Sequence, residues 1–233
     1  MTRHELKEQL QHDHFTDTVS GVVDYATSHR QELIRWVPII VGILVIAGGA
    51  FWYAQYRNSA REQDLNNAFA IADRPVGPAA PGVSTFATED AKSQAVMKAF
   101  SDVVAKDGGS RQGLIAQYYL GTLKAKKGDV KGAEADLSRV ADSGVKVAPL
   151  AKIALAGLYA ADNKTPQAQS LLQSLVNKPT DLVSKSQAQI LLARLEEDTN
   201  PQQAKKLLQQ VRTEAKDPAV DRAVEQISSQ MNK

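Results

Sequence analysis

The stretch LGTLKAKKGDVKGAEADLSRV, residues 120–140, recurs twice farther along the chain, and this recurrence decides the fold. Leu120, Ala133, Leu137 and Val140 reappear 35 residues later and again 36 residues after that, with the side-chain type kept. The later sets are Leu155, Ala168, Leu172 and Leu175, then Leu191, Ala204, Leu208 and Val211. The breaks recur too, as KKGD at 126–129, ADNK at 161–164 and DTNP at 198–201. Three copies with a period of about 34 residues predict stacked helix–turn–helix repeats.

The predicted fold class is all-α, with these repeats forming an α-solenoid. From residue 89 onward Ala, Leu, Lys and Gln predominate, Gly, Asn or Pro supply short breaks, and no alternating strand pattern occurs. The recurring Ala lets two helices approach closely, and the aliphatic residues four and seven positions later face the same seam. Because one hairpin cannot bury its apolar face alone, stacking is required. We expect a repeat domain at 89–233, with copies near 114–148, 149–184 and 185–217 and a capping helix at 218–231.

These residues resemble the tetratricopeptide repeat. Residues 120–140 follow its order: Leu, Gly, a turn Gly, Ala, a large apolar residue, then a small or aliphatic one. The second copy, residues 155–179, adds a Tyr and a Pro at family positions. The third copy fits less well, because Leu192 stands where Gly121 and Ala156 stand in the other copies. Its register is therefore open by one residue.

The resemblance implies a concave face, lined by the first helix of each copy, that binds peptides or proteins. Carried onto this sequence, the peptide-binding candidates are Ile115, Tyr118, Tyr119, Thr122, Lys126, Leu150, Ile153, Gly157, Gln189 and Glu196, with Ala154, Ser186 and Ile190 beside them. The Lys, Asn and Arg with which one branch of the family clamps a C-terminal carboxylate are absent. A mixed apolar and small-residue groove suits an extended or helical segment with apolar anchors. Tyr118 and Tyr119 fit core packing between copies equally well.

A different feature lies upstream, where WVPIIVGILVIAGGAFWYAQY, residues 36–56, contains no charged side chain. As a helix this run would span about 31 Å, close to the thickness of the hydrocarbon core of a bilayer. Trp36 stands at one end and Trp52, Tyr53 and Tyr56 at the other, where membrane-interface aromatic residues are expected. The run exceeds the apolar region of a signal peptide and lacks the polar face of a core helix. The prediction is a retained single-pass transmembrane helix.

Polar segments flank the span. Residues 1–35 form a polar tail with apolar residues at helical spacing, which fits an amphipathic helix on a membrane or partner, or a solvated helix. Residues 57–88 combine a helical extension with a Pro- and Gly-rich loop. Basic residues slightly favour a cytoplasmic N-terminus and an external repeat domain. Gly48 and Gly49 would let a second helix approach, so a homo-oligomer is an open alternative.

Composition and motifs argue against several classes of function. The 28 basic and 26 acidic residues give a net charge of only +2, which does not indicate nucleic-acid binding. The chain has no cysteine and therefore no disulfide, thiol nucleophile or zinc–thiolate site. Common catalytic and phosphate-binding motifs are absent, and all four histidines precede the repeat domain. We expect no enzyme activity, no cofactor and no metal site.

The whole layout resembles the YfgM-like family, the ancillary subunits of the bacterial SecYEG translocon. Residues 22–59 are similar in style to that family's helix-then-anchor start, although the tail here is longer. The resemblance implies an inner-membrane protein with a cytoplasmic N-terminus and periplasmic repeats. Its partners would be translocon subunits, envelope chaperones or secreted clients. A scaffold for another cell-envelope complex, such as outer-membrane assembly, and an adaptor with cytoplasmic repeats are alternatives with the same architecture.

Overall fold

The computed structural model describes residues 30–78, 82, 84–214 and 218–230. Within these residues there are nine helices, and the extended backbone pairing is limited to one isolated bridge between Val76 and Phe86. The helices are α1 (Arg30–Ala72), α2 (Glu89–Asp107), α3 (Arg111–Lys126), α4 (Val130–Ala141), α5 (Ala148–Ala161), α6 (Thr165–Asn177), α7 (Lys185–Glu196), α8 (Pro201–Glu214) and α9 (Pro218–Gln230). The predicted all-α fold class is confirmed.

The chain divides after Ser59 into two compact units, and the first contains the apolar part of α1. Helix α1 is 43 residues long, or about 65 Å. It is the one helix in the described residues that is long and apolar enough to cross a membrane, and its apolar window has no buried residue. The rings of Trp52 and Tyr56 stack with their centroids 6.1 Å apart. These properties support a membrane anchor. The amphipathic helix predicted in the tail falls among residues 1–29, outside the described residues.

The second unit begins at Ala60 and is a stack of helical hairpins. Helices α3 and α4, α5 and α6, and α7 and α8 pair in turn, and each pair packs against the next. Helix α9 covers the last pair through contacts with α7 and α8. At the other end, Leu65 and Ala68 of α1 share a buried cluster with Phe100 of α2 and Leu120 of α3. This arrangement is the predicted solenoid of helix–turn–helix repeats.

The loop between α1 and α2 is tied at its base. The amide of Gly77 donates to the carbonyl of Phe86 over 3.0 Å, and the amide of Phe86 donates to the carbonyl of Pro75 over 2.9 Å. Thr88 then caps α2, because its hydroxyl accepts from the amide of Ala91 over 3.1 Å. The chain therefore enters the repeat stack from a closed loop.

The recurring apolar positions form the core of the stack. Eleven of the twelve are buried, namely Leu120, Ala133, Leu137, Val140, Leu155, Ala168, Leu172, Leu175, Ala204, Leu208 and Val211. The exception is Leu191, which is half-buried, whereas its neighbour Leu192 is only 2% exposed. The aligned position of the third copy is therefore Leu192, and this corrects the alignment made from sequence.

A shorter turn explains the shift by one residue. Thirteen residues separate the aligned Leu and Ala in the first two copies, and twelve separate Leu192 from Ala204. The first two turns each contain a residue in the left-handed region, Gly128 with φ 82° and Asn163 with φ 58°. The described residues of the third turn include no residue of positive φ. The third hairpin closes without the left-handed residue, so its first helix lies one position later in the sequence.

Candidate functional site

Two first helices, α5 and α7, form the walls of a groove of about 620 Å³. We call it the α5–α7 groove. Its lining residues come from both helices, from α6 below and from the two turns, and they are Ile153, Ala156, Gly157, Ala160, Asn163, Thr165, Leu172, Leu191, Arg194, Leu195, Asp198 and Thr199. The first helices of neighbouring copies therefore enclose a surface of the kind that the tetratricopeptide resemblance implies.

The small side chains of α5 keep this groove open. A Cβ atom added at Gly157 would meet no heavy atom within 4 Å, and Ala156 and Ala160 end at their own Cβ atoms. Glycine in a helix interior costs about 0.5–1 kcal/mol relative to alanine. Larger aliphatic side chains, Leu191 and Leu195, stand on the facing wall. The groove is therefore apolar and asymmetric, with one shallow wall and one with projecting side chains.

The charges of the groove lie on the α7 side. Arg194 and Asp198 are both exposed, one turn apart, and contribute one positive and one negative charge. The described residues contain no ion pair to either side chain. Their opposite charges leave the groove without a net electrostatic preference. Affinity would therefore come from apolar side chains that enter the groove.

The candidate residues of the first copy lie in packing contacts or away from this groove. The ring of Tyr119 lies 4.9 Å from that of Phe69, 5.3 Å from that of Phe100 and 5.2 Å from that of Tyr118. Burial raises the pKa of Tyr118, and the neighbouring Tyr119 raises it further. The remaining candidates here are Ile115, Thr122 and Lys126. Ile115 is half-buried against the cluster that contains Phe100 and Leu120, the hydroxyl of Thr122 donates to the Tyr119 carbonyl over 2.8 Å, and Lys126 is exposed. For the two tyrosines the structure favours packing between copies.

The candidates of the second and third copies divide between groove and core. Ile153 and Gly157 line the α5–α7 groove, while Leu150 packs against the adjoining core. Gln189 is 3% exposed and Glu196 is 5% exposed, so neither offers an accessible surface to a partner. The side positions Ala154, Ser186 and Ile190 are half-buried.

The register of the third copy explains the placement of Gln189. With a shift of 37 residues, Gln189 corresponds to Lys152 of the second copy. Lys152 corresponds in turn to Gln117, 35 residues earlier in the first copy, and Gln117 is itself 4% exposed. One residue along a helix turns a side chain by about 100°. The one-residue error in the alignment had therefore moved Gln189 from the packing seam to the groove face.

A recurring hydrogen bond between copies was missed from the sequence. The hydroxyl of Tyr159 donates to a carboxylate oxygen of Glu134 over 3.1 Å. One copy later, the amide of Gln169 donates to Glu196 Oε1 over 2.9 Å. Glu134 and Gln169 are 35 residues apart and occupy the same position of the second helix. The signal available in the sequence was a polar residue at the same place in each copy, next to a buried apolar position.

Glu196 is in an unusual environment for a carboxylate. Burial raises its pKa above the ordinary value of 4.5, while the hydrogen bond from Gln169 acts in the opposite direction. Its Oε2 atom is buried and has no hydrogen-bond partner among the described residues. The side chain lies at a seam between copies, so it affects stability rather than partner contact. Among the described residues, no group of three His, Cys, Asp or Glu side chains is arranged to hold a metal ion.

Comparison with known proteins adds one finding. A family model described as a tetratricopeptide repeat-like domain matches residues 34–181. The match covers more than half of the 233 residues. It begins two residues before the apolar run of α1 and ends beyond α6, so it includes the span and the helices of the first two copies. No curated protein and no solved structure matches the chain.

Proposed function

This chain belongs to the tetratricopeptide repeat-like domain family, whose repeats are protein–protein interaction modules, and we propose that the α5–α7 groove binds a segment of a partner protein. The observation that carries the proposal is the open groove of about 620 Å³ between two first helices. Its volume lies within the range of about 300–1,000 Å³ that is usual for binding sites. Repeat domains of this family are generally non-catalytic, and we propose no reaction for this chain.

The lining of the groove defines the kind of segment. Leu191 and Leu195 project from one wall, and Gly157 leaves a recess in the other. A partner side chain such as Leu, Ile or Phe would fill that recess and bury apolar surface on both walls. An amphipathic helix or an extended strand with spaced apolar residues meets this requirement.

The finer proposal concerns the place of the module in the cell. We infer an inner-membrane protein with a cytoplasmic N-terminus and periplasmic repeats, acting as an ancillary translocon subunit or as an adaptor in the periplasmic chaperone network. Three features support it: a membrane-length apolar helix before the repeats, a family match that begins inside that helix, and the resemblance to the YfgM-like layout. Secreted clients expose apolar segments before they fold, and such segments suit the α5–α7 groove.

Site-specific crosslinking in cells tests the groove. A photoreactive amino acid at Asp198, exposed at the rim of the groove, would lie beside a bound segment without filling the recess, and the same amino acid at Gln173, exposed on α6, is the matched control. The proposal expects protein adducts from position 198 and few or none from position 173. Translocon subunits, envelope chaperones or secreted clients among those adducts would support the finer proposal. Equal adducts from both positions, or none from 198, would overturn the proposed role of the groove.

A topology reporter tests the cellular side separately. A reporter active only outside the cytoplasm, fused after Lys233, should be active. A silent reporter together with a working cytoplasmic fusion would contradict periplasmic repeats and favour the cytoplasmic adaptor. Crosslinked neighbours drawn only from outer-membrane assembly would instead favour the scaffold alternative.

A further inference from the structure

A second groove, of about 670 Å³, lies where the ends of α4 and α6 meet the beginning of α5. We call it the basic groove. It is formed by the turn after α4, the first turn of α5, the last turn of α6 and the linker to α7. Its lining combines apolar side chains with three lysines, Lys146, Lys152 and Lys178. It shares no lining residue with the α5–α7 groove.

Apolar side chains line much of the basic groove. Ala141, Ala148 and Leu175 are buried, and Val145 is half-buried. Leu182 is 45% exposed, one of the few large apolar side chains of the repeat domain that extends so far into solvent. An exposed leucine beside an apolar depression marks a surface on which burial of a partner side chain would be favourable.

The charges around this groove are predominantly positive. Lys146, Lys152 and Lys178 line it, against one acidic residue, Asp181. Within the described residues none of the three lysines forms an ion pair, and the Lys152 ammonium donates only to the hydroxyl of Ser174, over 3.4 Å. Six other lysines of the second unit do pair with carboxylates, namely Lys98, Lys106, Lys124, Lys127, Lys164 and Lys185. The basic groove thus has a positive potential, with three lysines against one aspartate in its lining.

The first turn of α5 adds to this potential. Its N-cap residue is Val147, whose side chain accepts no hydrogen bond, although the amide of Ala148 donates to the carbonyl of Val145 over 2.9 Å. In α3 and α7 the hydroxyls of Ser110 and Ser184 accept a hydrogen bond from an amide of the first turn. The positive end of the α5 dipole therefore acts together with the three lysine side chains.

We propose that the basic groove is a second docking site, which binds an acidic segment of a partner protein that also carries apolar side chains. Carboxylates of the segment pair with Lys146, Lys152 and Lys178 while an apolar side chain packs between Leu175 and Leu182. A flat anionic membrane would meet the lysines but leave the concave apolar surface unfilled, so a peptide fits better. The site extends the module from one partner contact to two.

The absence of cysteine from the chain provides a direct test. Asn177→Cys, labelled with an environment-sensitive dye and reconstituted as the full chain in nanodiscs of zwitterionic lipid, reports on the basic groove, because Asn177 is exposed in its lining and takes no part in the proposed contacts. Gln209→Cys, exposed on α8 outside the groove, is the matched control for the dye. The probe is a short peptide of alternating Leu and Glu at near-physiological salt. We expect a saturable signal at position 177 and none at position 209, with Leu–Ser and Glu–Ser peptides binding about tenfold more weakly.

Charge reversal separates this site from non-specific attraction. Lys146→Glu with Lys178→Glu should weaken the Leu–Glu peptide about tenfold or more and create binding of a Leu–Lys peptide, which also shows that the variant is folded. Lys131→Glu with Lys206→Glu, both exposed and outside the groove, should leave affinity unchanged. Gly157→Trp should also leave it unchanged, so the result does not depend on the α5–α7 groove.

Three results would overturn the proposal. The first is no saturable binding of the Leu–Glu peptide to the Asn177→Cys protein that carries the dye. The second is an equal loss of affinity in the groove and control charge reversals. The third is a dye response at position 177 when anionic lipid replaces zwitterionic lipid without peptide, which would identify a membrane surface as the occupant.

Discussion

The junction between α1 and α3 and the junction between α5 and α7 each place two helices of the stack side by side, yet one is filled and the other is open. At the first, the rings of Phe69, Phe100 and Tyr119 lie 4.9–5.4 Å apart and occupy the space between helices. At the second, Gly157 faces open space, and a groove of about 620 Å³ remains. The backbone repeat sets where helices lie, and side-chain size at the facing positions decides whether a surface is left for a partner.

The filled junction contributes to the free energy of unfolding, whereas the open groove contributes to the free energy of partner binding. Aromatic pairs contribute about 0.5–1.5 kcal/mol beyond the area that they bury, so the first junction stabilises the chain itself. The α5–α7 groove leaves apolar surface in water, and that stabilisation is realised only when a partner covers it. Substitutions at the first junction should therefore act on stability, and substitutions at the second should act on binding.

The largest expected effect comes from removing the central ring of the filled junction. Phe100 is 1% exposed, and Phe100→Ala would lose its packing and leave a cavity, costing about 3–5 kcal/mol of the free energy of unfolding. Urea denaturation of the full chain in detergent measures this. Tyr119→Ala, at a position 37% exposed, should cost clearly less, and an equal cost would contradict the account of the junction.

Gly121→Ala tests how closely the first hairpin packs. An added Cβ would lie 2.9 Å from Leu137 Cγ and 3.1 Å from Asp136 Cβ, and both neighbours are buried. Overpacking costs about 1–3 kcal/mol and the gain in helix propensity returns about 0.5–1, so a net loss of about 1 kcal/mol is expected. The other copies carry Ala at this position, as Ala156 and Ala193. An unchanged or increased stability would show that the hairpin can relax.

Gly157→Ala should change stability in the opposite direction. The site is helical and an added Cβ meets no heavy atom within 4 Å. The substitution therefore changes stability only through the higher helix propensity of alanine. We expect a gain of about 0.5–1 kcal/mol, measured by the same denaturation. A loss of stability would mean that the open wall of the groove is constrained in a way that its geometry does not reveal.

The smallest expected effect is the pH dependence that Glu196 gives to the free energy of unfolding. Burial raises its pKa in the folded protein, so the unfolded chain ionises first as pH rises through 4.5. Ionisation of Glu196 therefore lowers the free energy of unfolding as pH rises from the unfolded pKa to the raised folded pKa. Above the folded pKa this loss of stability is complete. Glu196→Gln should be more stable than wild type near neutral pH, and the difference should shrink below pH 4.5. Glu225→Gln, exposed on α9, controls for the loss of one carboxylate, and a Glu196→Gln difference that does not vary with pH would contradict the burial effect.

The sequence predicts the stack well because burial follows its period. Ala133, Ala168 and Ala204 are each 0% exposed, as expected of the small residue at a helix seam. The sequence left the third register open by one residue. Periodicity does not encode whether a turn contains a left-handed residue, as the first two turns do at Gly128 and Asn163, and the third turn closes without one. The site was predicted in part. The helices that line the groove follow from the repeat, whereas its open state depends on how the side chains of α5, α6 and α7 pack against one another.

The measurement that tests the central claim most directly is photocrosslinking from Asp198, at the rim of the α5–α7 groove, in three backgrounds: wild type, Gly157→Trp and Thr122→Trp. Gly157→Trp introduces into the open groove a ring like those that fill the first junction. Thr122 occupies the same position of the first copy and is the matched control. The account predicts that partner adducts from position 198 disappear with Gly157→Trp and persist with Thr122→Trp. Adducts that persist unchanged with Gly157→Trp would contradict the claim that this groove holds the partner.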